Sequence, residues 1–184
     1  MTPADAEYAV LRQTIAARGT ARLVLFPVTI IGWAGLAFCV LNFTQSPIAA
    51  LFSLAVLVSG FEAIHALHVG VERVGRYLQV YYETPGSHPQ WETTVMSMGP
   101  GLPGGGVDPL FTFVFAGATF LNLIPALALG PVRTELGVIG TLHLLFVIRV
   151  VRARGAAARQ RAVDLETFRA IRNQNQSLPR PDAR

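Results

Sequence analysis

The sequence predicts an all-α membrane protein with four transmembrane helices, arranged as two antiparallel hairpins with cytoplasmic helical extensions. Three observations predict it. The chain of 184 residues is 52% hydrophobic and 14% charged, with a mean hydropathy of +0.45, too apolar for an ordinary soluble domain of that size. Its apolar residues gather in four long runs rather than at amphipathic spacing. Its basic residues, fifteen arginines and no lysine, lie almost all on one side of those runs.

Residues 1–22 are expected to form a cytoplasmic helical segment. Leu23 to Phe43 then carries no charge over 21 residues, enough for a helix rising ~1.5 Å per residue to cross a ~30 Å hydrocarbon core. This first span is expected to be retained. The segment before it is long and contains Asp5 and Glu7, and no convincing small-x-small cleavage site follows. Leu36-Ala37-Phe38-Cys39 has the outline of a lipoprotein processing box, but bulky Phe38 stands where a small residue is needed. Cys39 is the one cysteine, which excludes an intramolecular disulfide and a cysteine-based zinc site.

Ile48 to Val71 is the second span, interrupted by Glu62, His65 and His68 in its later half. Nothing stops the helix before Glu83, so residues 23–83 read as the first hairpin with a cytoplasmic extension. Residues 84–109 hold five prolines and six glycines and are expected to form a mobile cytoplasmic loop without regular structure. Within it the amphiphilic stretch Trp91 to Met98 suits the headgroup region. The run from Gly99 to Gly106 lacks the Gly-Lys-Ser/Thr of a phosphate-binding loop.

The second hairpin covers residues 110–151. Leu110 to Val132 is charge-free, entered through Asp108-Pro109 as cap and first turn, with a kink expected at Pro125. Leu136 to Val151 is the shortest run and contains Arg149, which is placed to snorkel near the helix end. The outer connections, Asn42 to Pro47 and Gly130 to Glu135, are short enough to force antiparallel neighbours.

Residues 152–184 are read as a basic amphipathic cytoplasmic helix followed, after Asn173, by a disordered tail with Pro179 and Pro181. Ala158, Ala162, Leu165, Phe168 and Ile171 form its expected packing stripe, with Arg161–Asp164 and Glu166–Arg169 as surface pairs. Fourteen arginines fall on the side of the termini and only Arg133 on the other. This places both termini in the cytoplasm, with the chain in the inner membrane of a bacterial-type cell.

The chemistry-bearing residues concentrate in the second span. At 100° per residue, Glu62, His65, Glu72, Arg73 and Arg76 fall within about 100° of one helix face, with His68 outside that arc, about 60° round from His65. Ionisable groups at membrane depth are costly, so this face is expected to point into the bundle or a water-filled cavity. One reading is a buried polar cluster that fixes helix register, with His65 as the donor beside Glu62. A second is a proton or ion path through Glu62, His65 and His68, which in a four-span chain requires an oligomer. For such contacts Gly32, Gly35, Ala55, Ser59, Ala63, Gly137 and Gly140 offer close helix approach.

A third reading is a divalent metal held by Glu62, His65 or His68 with His143, or haem between His143 and His65 or His68. Glu62-x-x-His65 has the spacing that carboxylate-bridged di-iron bundles use, but the other spans supply no second carboxylate pair. Soluble-enzyme motifs are absent. The expectation is a non-enzymatic scaffold or interaction protein with no cofactor. Its expected partners are the lipid bilayer and another copy of itself or a different membrane protein, not nucleic acid.

Overall fold

The computed structural model describes residues 2–83, 90–97 and 109–177. Among these there is no strand. Helix α1 spans Pro3–Phe43, α2 Ala50–Tyr81, α3 Trp91–Ser97, α4 Pro109–Leu121, α5 Leu123–Ala128 and α6 Arg133–Ser177, and a 3-10 turn, Pro47–Ala49, leads into α2. Four stretches are long and apolar enough to cross a membrane: Pro3–Phe43, Pro47–Tyr81, Phe111–Ala128 and Arg133–Ser177.

Helix α1 starts on a reciprocal cap. The Thr2 hydroxyl accepts from the Asp5 N–H at 3.2 Å, and the Thr2 N–H donates to the Asp5 carboxylate at 2.8 Å, so two otherwise orphaned donors are satisfied. Its 41 residues extend about 60 Å, twice the hydrocarbon thickness, so the expected N-terminal helical segment and first span are one rod.

The third span is broken. Pro125 has no N–H to give and its ring crowds the Leu121 carbonyl, and the helix parts at Asn122 into α4 and α5. The interruption lies three residues before the proline that causes it. The chain then turns at Gly130, whose φ of 67° lies in the left-handed region that glycine adopts without a Cβ penalty.

Helix α2 is central. Its Leu54, Leu57, Phe61 and Ile64 pack with Phe115 and Ala118 of α4 and with Phe146, Val150 and Ala153 of α6. Phe61 meets Phe115 and Phe146 edge-on at 5.3 and 5.7 Å between ring centres, a favoured aromatic arrangement. A smaller cluster of Val40, Ala50, Ala126 and Ile139 closes the end remote from the termini. Against α1, contacts run from Glu7–Tyr77 through Arg22–His68 to Gly32–Val56, so positions fall along one helix as they rise along the other. The tightest approach is at Gly60, where an added Cβ would collide with the Thr29 side chain, its Cβ only 2.7 Å away. Of the small residues expected at helix contacts, a Cβ added at Gly32 would touch Val56 at 3.8 Å, whereas one added at Gly35, Gly137 or Gly140 would meet nothing within 4 Å.

Three expectations are corrected. Residues 84–109 are not devoid of regular structure, because α3 forms within them; the Glu83 carboxylate accepts the Glu92 and Thr93 N–H groups at 2.8 and 2.6 Å, capping its first turn. The last helix continues past Asn173 to Ser177. Its packing face is also rotated: Ala162 and Ile171 are exposed, while Ala153, Ala157, Arg161, Asp164 and Phe168 lie toward α2. The reason is charge. Helix α2 presents Glu72 and Arg73, and Arg161 and Asp164 pair with those residues rather than with each other. The run Gly99–Gly106, the capping residue Asp108 and the tail from residue 178 lie outside the described residues.

Candidate functional site

Helices α2 and α6 are joined by a ladder of charged links whose residue numbers rise together. The Glu62 carboxylate accepts from Arg149 at 2.8 Å, and the guanidinium lies over the Phe61 ring, 5.6 Å from its centre. Further along, Glu72 accepts two bonds from Arg161, at 2.8 and 2.9 Å, the planar two-pronged geometry that arginine and carboxylate share. Arg76 reaches the same carboxylate at 3.4 Å, and Arg73 reaches Asp164 at 3.3 Å. At the end of the ladder Arg172 donates to the Val80 carbonyl at 2.6 Å, satisfying an acceptor in the last turn of α2.

The face expected to carry Glu62, Glu72, Arg73 and Arg76 is therefore the face toward α6. Glu62 and Arg73 each have a partner of their own on α6, while Glu72 and Arg76 are bonded to each other as well as Glu72 to Arg161. His65 does not serve Glu62; its ring stacks on Phe61 at 5.8 Å, nearly parallel to it. Glu62 and Arg149 are 43% and 42% exposed, whereas Arg76 is 2% exposed, so the uncompensated cost of charge is greatest at Arg76. A cleft of about 10 Å³, close to the size of a water, is lined by His68, Glu72, Arg76, Gln160, Arg161 and Asp164. His68 is held from the other side, its Nδ1 at 2.9 Å from the Arg22 guanidinium. Arginine has only donors, so Nδ1 accepts and the ring proton resides on Nε2.

A second polar node was not legible as a site. Asn122, fully buried, sits at the break between α4 and α5. Its Oδ1 accepts from Trp33 Nε1 at 2.9 Å and from the Ser53 hydroxyl at 2.6 Å, and its Nδ2 donates to the Ala50 carbonyl at 3.0 Å and to His143 Nε2 at 3.0 Å. The indole is donor-only, which fixes the amide orientation, and His143 must then accept at Nε2. Its Nδ1 donates to the Ile139 carbonyl at 2.7 Å. All four hydrogen-bonding positions of the amide are used, and α1, α2 and α6 are tied to one side chain. The signals were an asparagine in an otherwise apolar run and a tryptophan inside the first span, each of which needs a polar partner at that depth.

Of the candidate ligands, His143 is thus engaged at both nitrogens, His68 lies beside Arg22 and His65 lies on Phe61. Among the described residues no three His, Cys, Asp or Glu side chains are grouped to hold a metal ion.

The charged end has its own network. Arg12 bonds Glu92 at 2.9 Å and lies over the Tyr8 ring, docking α3 onto α1. Burial pushes the Glu92 carboxyl above its ordinary range, against the opposing pull of Arg12. Glu7 accepts from Tyr77 at 2.9 Å and also from Tyr82. Burial, reinforced by that bond to a carboxylate, pushes the Tyr82 phenol up to about 12. In chemical terms the arrangement spends its polar groups on joining helices. Compared with family models, with curated proteins and with solved structures, the chain matches none.

Proposed function

We propose that the protein is a non-enzymatic scaffold or interaction protein of a bacterial-type inner membrane: a four-helix bundle of two antiparallel hairpins, with both termini in the cytoplasm. The observation that carries this reading is the consumption of the polar groups in the apolar stretches by links between helices. Asn122 binds three other helices, Glu62 binds Arg149 and Glu72 binds Arg161. Such links fix register and rigidity. They suit a body that presents a surface rather than one that turns over a substrate. The surface it presents is the outer face of the α6 extension, where Arg152, Arg159 and Arg169 are exposed around Val163, basic residues beside an apolar one for a membrane-protein partner or a second copy.

The half-exposed Glu62–Arg149 pair favours a second reading, an oligomeric proton or ion conductor, because a neighbouring copy would cover it in the membrane. One experiment separates the two. Purified protein reconstituted into liposomes is assayed for proton and cation flux, alongside the Glu62→Gln variant and with a visible absorption spectrum of the sample. The scaffold reading expects flux equal to that of protein-free liposomes and no visible chromophore, with Glu62→Gln altering thermal stability alone. Flux that Glu62→Gln abolishes overturns it in favour of conduction, and a Soret band overturns it in favour of haem.

A further inference from the structure

Between α1 and α2 lies an open groove of about 450 Å³, lined by Arg18, Leu25, Ala63, Ala66 and Leu67, within the size range of ligand clefts. Its chemistry is graded along its length. Ala63 and Ala66 form an exposed floor and Leu25 and Leu67 half-buried walls; Leu25 belongs to the apolar run that begins at Leu23, the other three to the run that ends at Val71. Arg18 closes the groove at the charged end. Its guanidinium lies directly over Gly70, so close that a Cβ there would meet Nη1 at 2.6 Å. Among the described residues no carboxylate stands within ion-pair distance of Arg18, in contrast to Arg12, Arg73, Arg76, Arg149 and Arg161, which all have one. One turn on, Arg22 adds a second positive charge beside His68.

We propose that this groove binds an anionic phospholipid, its phosphate on Arg18 and one acyl chain along Ala63 and Ala66. The inference rests on the membrane placement argued above. An unpaired guanidinium where an apolar groove meets the interface complements a headgroup phosphate, and the alanine floor leaves the width of a chain between the helices. Gly70 is needed because any side chain there displaces the guanidinium from its present position.

The test is native mass spectrometry of the full chain in detergent, titrated with phosphatidylglycerol or phosphatidylcholine. Membrane fractionation comes first: a chain extracted from membranes only by detergent upholds the placement, so the titration then judges the lipid site by itself. The expected result is about fivefold tighter binding of phosphatidylglycerol, the effect of one interfacial cationic side chain. Arg18→Gln should bring the two lipids to parity, and Gly70→Ala should do the same while keeping the charge. Ala66→Trp should weaken both lipids by closing the groove, and millimolar inorganic phosphate should not displace the bound lipid. Circular dichroism of each variant checks that helicity is kept. Equal binding of both lipids by the wild type, a preference that survives in Arg18→Gln, or a cross-link from Ala63→Cys to a second chain would overturn the proposal.

Discussion

Asn122 donates to His143 Nε2 at 3.0 Å, and this bond decides the tautomer of a histidine at membrane depth. With Nδ1 bonded to the Ile139 carbonyl, the imidazole is neutral and its lone pair faces the amide rather than an open site. The same amide also holds Trp33, Ser53 and the Ala50 carbonyl. Replacing it should cost more than one hydrogen bond.

Asn122→Leu leaves the indole N–H, the serine hydroxyl and His143 Nε2 without their partner in a dry interior. Interhelical bonds in membranes contribute roughly 0.6 kcal/mol each, and orphaned buried groups add to the loss, so the expected destabilisation is about 2 kcal/mol. Thermal or detergent-driven unfolding of the purified protein measures it. Trp33→Phe, which removes one of the four bonds, should cost about a quarter as much.

Glu72 compensates two guanidinium groups, one of them Arg76 at 2% exposure. Glu72→Gln strands a buried charge and should destabilise by about 3 kcal/mol. Arg161→Gln leaves the Glu72–Arg76 pair in place and should cost about 1 kcal/mol. Equal losses for the two variants in the same unfolding assay would refute this hierarchy.

Gly60→Ala places a methyl group against Thr29, a β-branched side chain with little freedom to move. Helices α1 and α2 must separate to admit it, at an expected cost of about 2 kcal/mol. Gly35→Ala meets nothing within 4 Å and should stabilise slightly through helix propensity. The difference between the two melting temperatures is the readout.

Tyr82 ionises at about 12 in the folded chain against about 10 when unfolded. A folded value above the unfolded one means that the contribution is intact below pH 10 and is lost as the pH rises from about 10 through about 12. The contact of α1 with the end of α2 should loosen in that window. Ultraviolet titration of tyrosinate should therefore contain a late step that Tyr82→Phe removes, and a single step of all four tyrosines near 10 contradicts it.

What the sequence revealed followed the strength of the physical signal. Charge-free runs such as Leu23 to Phe43 stand out because a bilayer demands them, and the polar face of α2 stands out because four of its members recur at helical spacing. What the spacing could not reveal is the partner. Arg149 was legible as an arginine near a helix end, and only the packing of α6 on α2 places it on Glu62. Arg161 and Asp164 read as a local pair for the same reason, since three-residue spacing looks alike whether the charges meet each other or a neighbouring helix. Asn122 escaped because an uncharged amide barely lowers the hydropathy of its run, although its need for partners is as strict as that of a charge. The short α3 escaped because the prolines and glycines around it dominate the composition, while its cap comes from Glu83, eight residues before Trp91.

The proposed topology, four spans with both termini and the extensions of α2 and α6 in the cytoplasm, is tested most directly by cysteine accessibility. Cys39 is the one native cysteine, so a Cys39→Ala background accepts single cysteines at Gln13, Ser46, Thr134 and Glu166, all exposed. A membrane-impermeant maleimide applied to intact spheroplasts is predicted to label Ser46→Cys and Thr134→Cys, and to reach Gln13→Cys and Glu166→Cys only after permeabilisation. Labelling of Glu166→Cys in intact spheroplasts, or protection of Ser46→Cys, would contradict this topology.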